Sequence, residues 1–175
     1  MHLPVDSSIN KLIILFVFDK METPLTENTV LDMCCSANNW VSYMDCQPIL
    51  NNLKELGWIS RLNNAQPEPL YTITPDGRVC LANFFIKIPA SLREEITIFI
   101  KQNKLNYRKK QECTADYFKN NDGTYTVFLK IIEPTGSLME LKFVVATRKA
   151  AKDIYKKWEE KASGLYSLLY DSLVD

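Results

Sequence analysis

Residues 56–81 read LGWISRLNNAQPEPLYTITPDGRVCL and place one small hairpin within a series of helix-like segments. Two short strand-like runs flank a polar tip that contains two prolines. Gly57 predicts the end of the preceding helix, and Thr74 predicts the cap of the next one, with Pro75 and Asp76 in its first turn. A unit of three helices leaves one side of its core open, and we expect the hairpin to close it.

Three helix-like segments precede the hairpin. The first, residues 9–21, is apolar on most faces, which favours burial on more than one side and indicates contact with a second copy. The second begins at Thr26 as its N-cap. The third begins at Asp45 as the predicted cap, which places Pro48 in the first turn. Its predicted inward stripe consists of Ile49, Leu50, Leu53 and Leu56. Three helices followed by a hairpin predict a winged helix-turn-helix, whose third helix enters the major groove of DNA.

The remainder of the chain predicts one long helix and then a change of period. A helix after Pro89 carries an apolar stripe of Leu92, Ile96, Phe99 and Ile100. From Glu112 the period is two, which predicts three antiparallel strands, with NNDG (residues 120–123) as the first hairpin turn. A long final helix is expected to cover this sheet. Its predicted inward stripe is Ala151, Ile154, Trp158, Leu165 and Leu169.

The predicted fold class is therefore α+β. A winged helix-turn-helix domain at residues 1–88 is followed by a linker helix at residues 89–110. A βββα domain at residues 111–175 holds a small three-stranded antiparallel sheet covered by the long C-terminal helix.

The composition limits the classes of partner that the protein can bind. The chain has 175 residues, is 46% hydrophobic, and carries 21 basic and 21 acidic residues, so no whole-protein field attracts nucleic acid or an anionic membrane. Through residue 88, six basic residues oppose nine acidic ones, which leaves that half with a net charge of −3. The longest apolar run, residues 12–18, is too short to span a bilayer. These features predict a cytoplasmic protein with no membrane partner.

The five cysteines predict reduced thiols rather than a disulfide framework, because their number is odd and no CxxC pattern occurs. A zinc site at Cys34, Cys35 and Cys46 is disfavoured, since adjacent cysteines rarely bind the same metal and the only histidine is His2. We expect no metal and no cofactor. The sequence also lacks a Gly-rich phosphate loop and the HExxH and GxSxG motifs, so we predict no catalytic residues and no enzyme activity.

The outer side of the third helix is the predicted DNA contact. The amides of Gln47, Asn51 and Asn52 suit adenine edges, and Lys54 suits a phosphate or a guanine. Arg61 adds a positive charge in the first strand of the hairpin. The competing interpretation is a solvated helix face, since the acidic amino half lacks the basic surface typical of DNA-binding domains.

A basic stripe lies on the helix after Pro89, where Lys101, Lys104 and Arg108 recur at helical spacing. It either touches DNA beside the main contact or is an ordinary solvated face. Together these features predict a homodimeric DNA-binding transcription regulator whose α+β half serves dimerisation or sensing of a small-molecule effector, which the sequence does not identify. The alternative is a winged-helix module that binds a protein partner and no DNA.

The order of several motifs resembles one bacterial family. The spacing of Tyr71, Thr74, Gly77 and Leu81 is similar to the exit from the wing in PadR-like and MarR-like regulators. Over nearly the whole chain, the sequence resembles the bacterial domain-of-unknown-function 4364 family. The segments that carry this resemblance are MDCQPILNNLKELGWI, YTITPDGR, IPASLREEI, ADYFKNNDGTYTVFLKI, MELKFVV and YSLLYDSL. The resemblance implies a winged-helix half and a β-rich half, and it transfers no activity and no site residues.

Overall fold

The structure, a computed structural model, describes residues 7–63 and 68–174. It has mixed α+β architecture and divides after Tyr107 into two compact units. The first unit contains α1 (Ser7–Met21), β1 (Leu25–Thr26), α2 (Glu27–Leu31), which continues as a π-helix (Asp32–Ala37), α3 (Tyr43–Glu55), β2 (Ile59–Arg61), β3 (Leu70–Ile73), α4 (Pro75–Phe84), a 3-10 turn (Phe85–Lys87) and most of α5 (Ala90–Glu112). The second contains β4 (Cys113–Lys119), β5 (Tyr125–Glu133), β6 (Gly136–Val145) and α6 (Arg148–Leu173).

Helix α1 is the centre of the first unit. Every residue from Leu12 to Phe18 is buried, and α1 contacts α3, α4 and β3. The predicted helix is confirmed. Its apolar character does not require a second copy, however, because elements of the same chain already cover it on all sides.

Helix α3 begins at a different cap from the one predicted. The prediction of Asp45 is wrong, because the Ser42 hydroxyl accepts the backbone N–H of Asp45 (3.2 Å) and donates to its carboxylate (2.6 Å). The helix therefore starts at Tyr43, and Pro48 lies in its interior, on the solvent side, where the missing N–H costs one helical hydrogen bond. Leu50 and Leu53 are buried as predicted.

The end of α3 is a Schellman motif. Gly57 has φ +69°, and its N–H donates to the carbonyl of Lys54 (3.0 Å) while the N–H of Trp58 donates to that of Leu53 (3.0 Å). The predicted stop at Gly57 is confirmed. Leu56 occupies the C-cap and is 46% exposed, so its predicted place in the inward stripe is wrong.

The hairpin after α3 belongs to a three-stranded sheet with the order β1-β3-β2. Residues 64–67 of the predicted tip lie outside the described residues. Beyond β3, the Thr74 hydroxyl caps α4 by accepting the N–H of Gly77 (3.1 Å) and donates to the carbonyl of Gly57 (2.7 Å). The backbone N–H of Thr74 donates to the carbonyl of Trp58 (3.0 Å). These bonds fasten the start of α4 to the end of α3.

Gly77 allows a close approach of two backbones at this junction. A Cβ at position 77 would lie 2.2 Å from the carbonyl oxygen of Trp58, so we expect Gly77→Ala to destabilise the protein by about 1–3 kcal/mol. Gly164→Ala is the matched control, because no atom lies near its Cβ, and it should stabilise α6 by about 0.5–1 kcal/mol. Thermal unfolding followed by circular dichroism measures both. A Gly77→Ala protein as stable as the wild type would contradict this packing.

Helix α5 belongs mainly to the first unit. Ile96 and Ile100 are buried in its core, and Leu92 and Phe99 pack against it, as the predicted stripe requires. The division between the two compact units falls after Tyr107, inside this helix.

The second unit is an antiparallel sheet with the order β4-β5-β6, packed against α6. Four residues of β5 face α6 and pack with its buried Trp158, namely Tyr125, Val127, Leu129 and Ile131. The predicted strands and covering helix are confirmed. Leu165 and Leu169 are exposed, so the prediction that they join the inward stripe is wrong. Within the described ranges, the chain contains no helix that is both long and apolar enough to cross a bilayer.

Candidate nucleic-acid interface

The solvent face of α3 begins at its first turn. Tyr43 is 66% exposed and Met44 is 85% exposed. Met44, Pro48, Asn51 and Glu55 follow one another at intervals of four, three and four residues, so they share one face of the helix, and all are exposed. This face is neutral to acidic, since it holds a carboxylate and no cation.

The carboxylate of Glu27 binds the side chains of two residues that were predicted to contact DNA. Glu27 is the first residue of α2, where a negative charge suits the helix dipole. One of its carboxylate oxygens accepts the amide of Gln47 (2.9 Å), and the other forms an ion pair with Lys54. Gln47 and Lys54 therefore turn toward α2 and are not free on the outer surface.

The cluster extends to the hairpin. The ammonium of Lys54 lies 4.8 Å from the centre of the Tyr71 ring and donates to the side-chain oxygen of Asn51 (3.3 Å). The side chain of Tyr71 also forms a hydrogen bond with Glu27. We call Glu27, Gln47, Asn51, Lys54 and Tyr71 the Glu27 cluster. It joins α2, α3 and β3 through polar contacts.

The ionisation of Glu27 reflects these partners. Partial burial pushes its pKa upward, but the hydrogen bonds from Lys54 and Gln47 and the charge of Lys54 outweigh burial, so the pKa lies below its ordinary value. Glu27 is therefore a carboxylate at neutral pH, and it neutralises the one cation of α3.

The other predicted residues of this region are placed differently. Asn51 is exposed, whereas Asn52 is half-buried and its carbonyl oxygen is buried without a hydrogen bond from the described residues. Arg61 is exposed in β2, opposite Tyr71, and forms no ion pair among the described residues. Glu68, near the end of the hairpin tip, accepts the amide of Asn28 (2.9 Å).

The basic stripe on α5 is largely paired. The ammonium of Lys104 lies 2.7 Å from the carboxylate of Glu22, and Arg108 contacts Glu112 at 3.2 Å within the second unit. Lys101 is exposed and has no ion-pair partner in the part of the chain that is described. These pairs are typical of a solvated face, and exposed pairs of this kind contribute little to stability.

The cysteines are free thiols in the structure. Burial raises the pKa of Cys34 and of Cys46, and Cys35 and Cys46 are hydrogen-bonded to each other. Protonated, buried thiols are poor nucleophiles and poor metal ligands. Among residues 7–63 and 68–174, no His, Cys, Asp and Glu side chains are grouped as metal ligands would be, and His2 lies outside these ranges.

Sequence reasoning missed the exposed first turn and the role of Glu27. With Asp45 taken as the cap, Tyr43 and Met44 lay outside the predicted helix. The Ser42-x-x-Asp45 spacing is the local signal that could have moved the start upstream. Contact between Glu27 and Lys54, 27 residues apart, leaves no local pattern.

The family of the chain is established by comparison with known proteins. The family described as "Domain of unknown function (DUF4364)" matches over residues 10–173, so the chain belongs to this family, as its motifs indicated. No curated protein and no solved structure matches the chain significantly.

Proposed function

We propose that the first unit is a winged helix-turn-helix domain and that the protein is a homodimeric, non-enzymatic DNA-binding transcription regulator. The order of elements supports this: α1, α2 and α3 precede the β2–β3 hairpin, and β1 completes a sheet of order β1-β3-β2. In this arrangement α3 is the recognition helix and the hairpin is the wing.

The observation that carries the proposal is the open first turn of α3. A recognition helix reads base edges with its N-terminal residues, and Tyr43 and Met44 occupy that position with most of their surface exposed. Met44 suits contact with a thymine methyl group, and the amide of Asn51 suits an adenine edge. Arg61 on the hairpin suits a phosphate. These four residues are the proposed contact set.

The Glu27 cluster sets the strength of the interaction. Because Lys54 is already paired with Glu27, it releases no counterion from DNA, and the proposed contact set contains a single cation. The domain should therefore bind duplex DNA weakly, with a shallow dependence on salt and a larger share of affinity from groove contacts. This explains how an amino half of net negative charge can still serve a DNA-binding role.

The test measures affinity for a pool of random duplexes at about 50 mM and about 200 mM salt. We expect wild-type retention at the lower salt, and Glu27→Gln should bind more tightly with a steeper salt slope, because Lys54 is released. Arg61→Ala should reduce the slope by about one, and Asn51→Ala should cost about 1–3 kcal/mol at one base position.

Two variants are matched controls for this experiment. Asn52→Ala should leave base preference unchanged, because its carbonyl is turned inward. Arg148→Ala removes an exposed arginine of the second unit and should leave the salt slope unchanged. The proposal fails if neither the wild type nor Glu27→Gln retains any duplex at the lower salt.

A second candidate function is recognition of a protein partner through the same surface. The observation in its favour is the lack of an unpaired cation on α3. The exposed Tyr43 and Met44 lie at its start with the carboxylate of Asp45, and Glu55 adds a carboxylate at its end. Tyrosine and methionine are enriched at protein interfaces. Absence of DNA retention in every variant would favour this function.

A further inference from the structure

The apolar stripe of α6 continues beyond the core that it covers. Ala151, Trp158 and Ala162 are buried against the sheet. Leu165, Leu169 and Leu173 follow at helical spacing on the same face, yet they are exposed, with Leu173 at 79%. Over the last turns of α6, the apolar face that packs on the sheet earlier in the helix is therefore left uncovered.

The charge pattern of α6 changes at the same place. Residues 148–161 hold nine charged side chains, as expected for a helix with one solvated face. Residues 162–174 hold only Asp171. Leu168, Tyr170 and Val174 are also exposed, so apolar surface extends around both sides of the stripe. A helix end of this composition is suited to contact with protein rather than with water.

An open groove adjoins this helix end. It has a volume of about 270 Å³ and lies between β6 and α6. Only apolar and aromatic side chains line it, namely Met139, Leu141, Tyr166, Leu169, Tyr170, Leu173 and Val174. Two leucines of the stripe, Leu169 and Leu173, form one wall of the groove, so the stripe and the groove are one continuous surface.

We propose that this surface is the homodimer interface, with the end of α6 from each copy packed into the groove of the other about a two-fold axis. A two-fold interface requires a self-complementary surface, and a stripe beside its own groove meets that requirement. The near absence of charge is a second requirement, because identical charges would otherwise be brought together and desolvated.

The exposed area is of the size that a dimer needs. Six residues at the end of α6 together expose the equivalent of more than three fully exposed residues: Leu165, Leu168, Leu169, Tyr170, Leu173 and Val174. This corresponds to on the order of 600 Å² of apolar surface per copy, against about 800 Å² per partner in a standard stable interface. Neighbouring backbone and rim atoms supply the remainder.

The test is the mass of the full chain in solution, measured by light scattering and by sedimentation equilibrium. The wild type should have twice the chain mass of 20.2 kDa. Leu169→Glu combined with Leu173→Glu should raise the dimer dissociation constant by more than 100-fold, because each substitution occurs twice across the two-fold axis. The matched control is Ile98→Glu combined with Leu105→Glu, two exposed apolar residues of α5, and it should remain dimeric.

Each other outcome overturns the inference. A wild type with the mass of a single chain at about 100 μM would show that a second copy does not cover the helix end. A Leu169→Glu, Leu173→Glu protein that remains dimeric with a native far-ultraviolet spectrum would place the interface elsewhere. The dimeric state forms part of the proposed function, but the two can fail separately: a dimer that retains no DNA leaves this interface standing, and a monomer that retains DNA removes it.

Discussion

Replacing Trp158 with alanine is expected to destabilise the second unit by about 3–5 kcal/mol. The indole is 3% exposed and packs in a small core with Val127 and Leu129. Its N–H donates to the backbone carbonyl of Lys130 (3.1 Å), so alanine would leave a cavity and remove this hydrogen bond. Urea unfolding followed by circular dichroism measures the loss.

Two variants separate the contributions to this loss. Trp158→Phe keeps most of the apolar volume and loses the hydrogen bond, so it should cost clearly less than alanine. Tyr155→Ala removes an aromatic residue that is 47% exposed on the same helix, and it should cost much less than Trp158→Ala. Equal losses for Trp158→Ala and Tyr155→Ala would contradict the packing of α6 on the sheet.

The corresponding change in the first unit is Leu53→Ala, with an expected cost of about 2–5 kcal/mol. Leu53 is fully buried on the inner face of α3, in the same core as α1. The adjacent residue, Asn52, is half-buried with an unpaired carbonyl oxygen, so Asn52→Ala should cost little. Thermal unfolding of the two proteins is the measurement, and similar shifts in melting temperature would rule out the assigned orientation of α3.

Local signals in the sequence predicted the order of elements well. Thr26 and Thr74 are helix caps, and Gly57 ends α3 in the left-handed conformation, because each of these roles depends on one residue and its neighbours. The cap of α3 was misassigned because Ser42 and Asp45 are both good caps and the preference of Pro48 for a first turn favoured Asp45. Two valid local rules conflicted, and the N-cap at Ser42 prevailed.

The features that could not be predicted depend on contacts between residues that are far apart in the chain. The periodicity of α6 shows which face Leu165 and Leu169 share with Trp158, but it does not show how far the sheet extends beneath them. The periodicity of α3 predicted that the side chains of Gln47 and Lys54 lie on its outer face and are accessible. Their pairing with Glu27 depends on how α2 and α3 pack, so the candidate contact set was only partly predictable.

The bonds at Trp58 and Thr74 have a consequence for the hairpin. They close a loop of chain at its base, since the Thr74 hydroxyl bonds to Gly57, 17 residues earlier, and its N–H bonds to Trp58. Once the base is closed, lengthening the chain between β2 and β3 costs only loop entropy, about 0.6 kcal/mol for each doubling of length. The reach of the hairpin can therefore change through insertions while the junction of α3 and α4 stays the same.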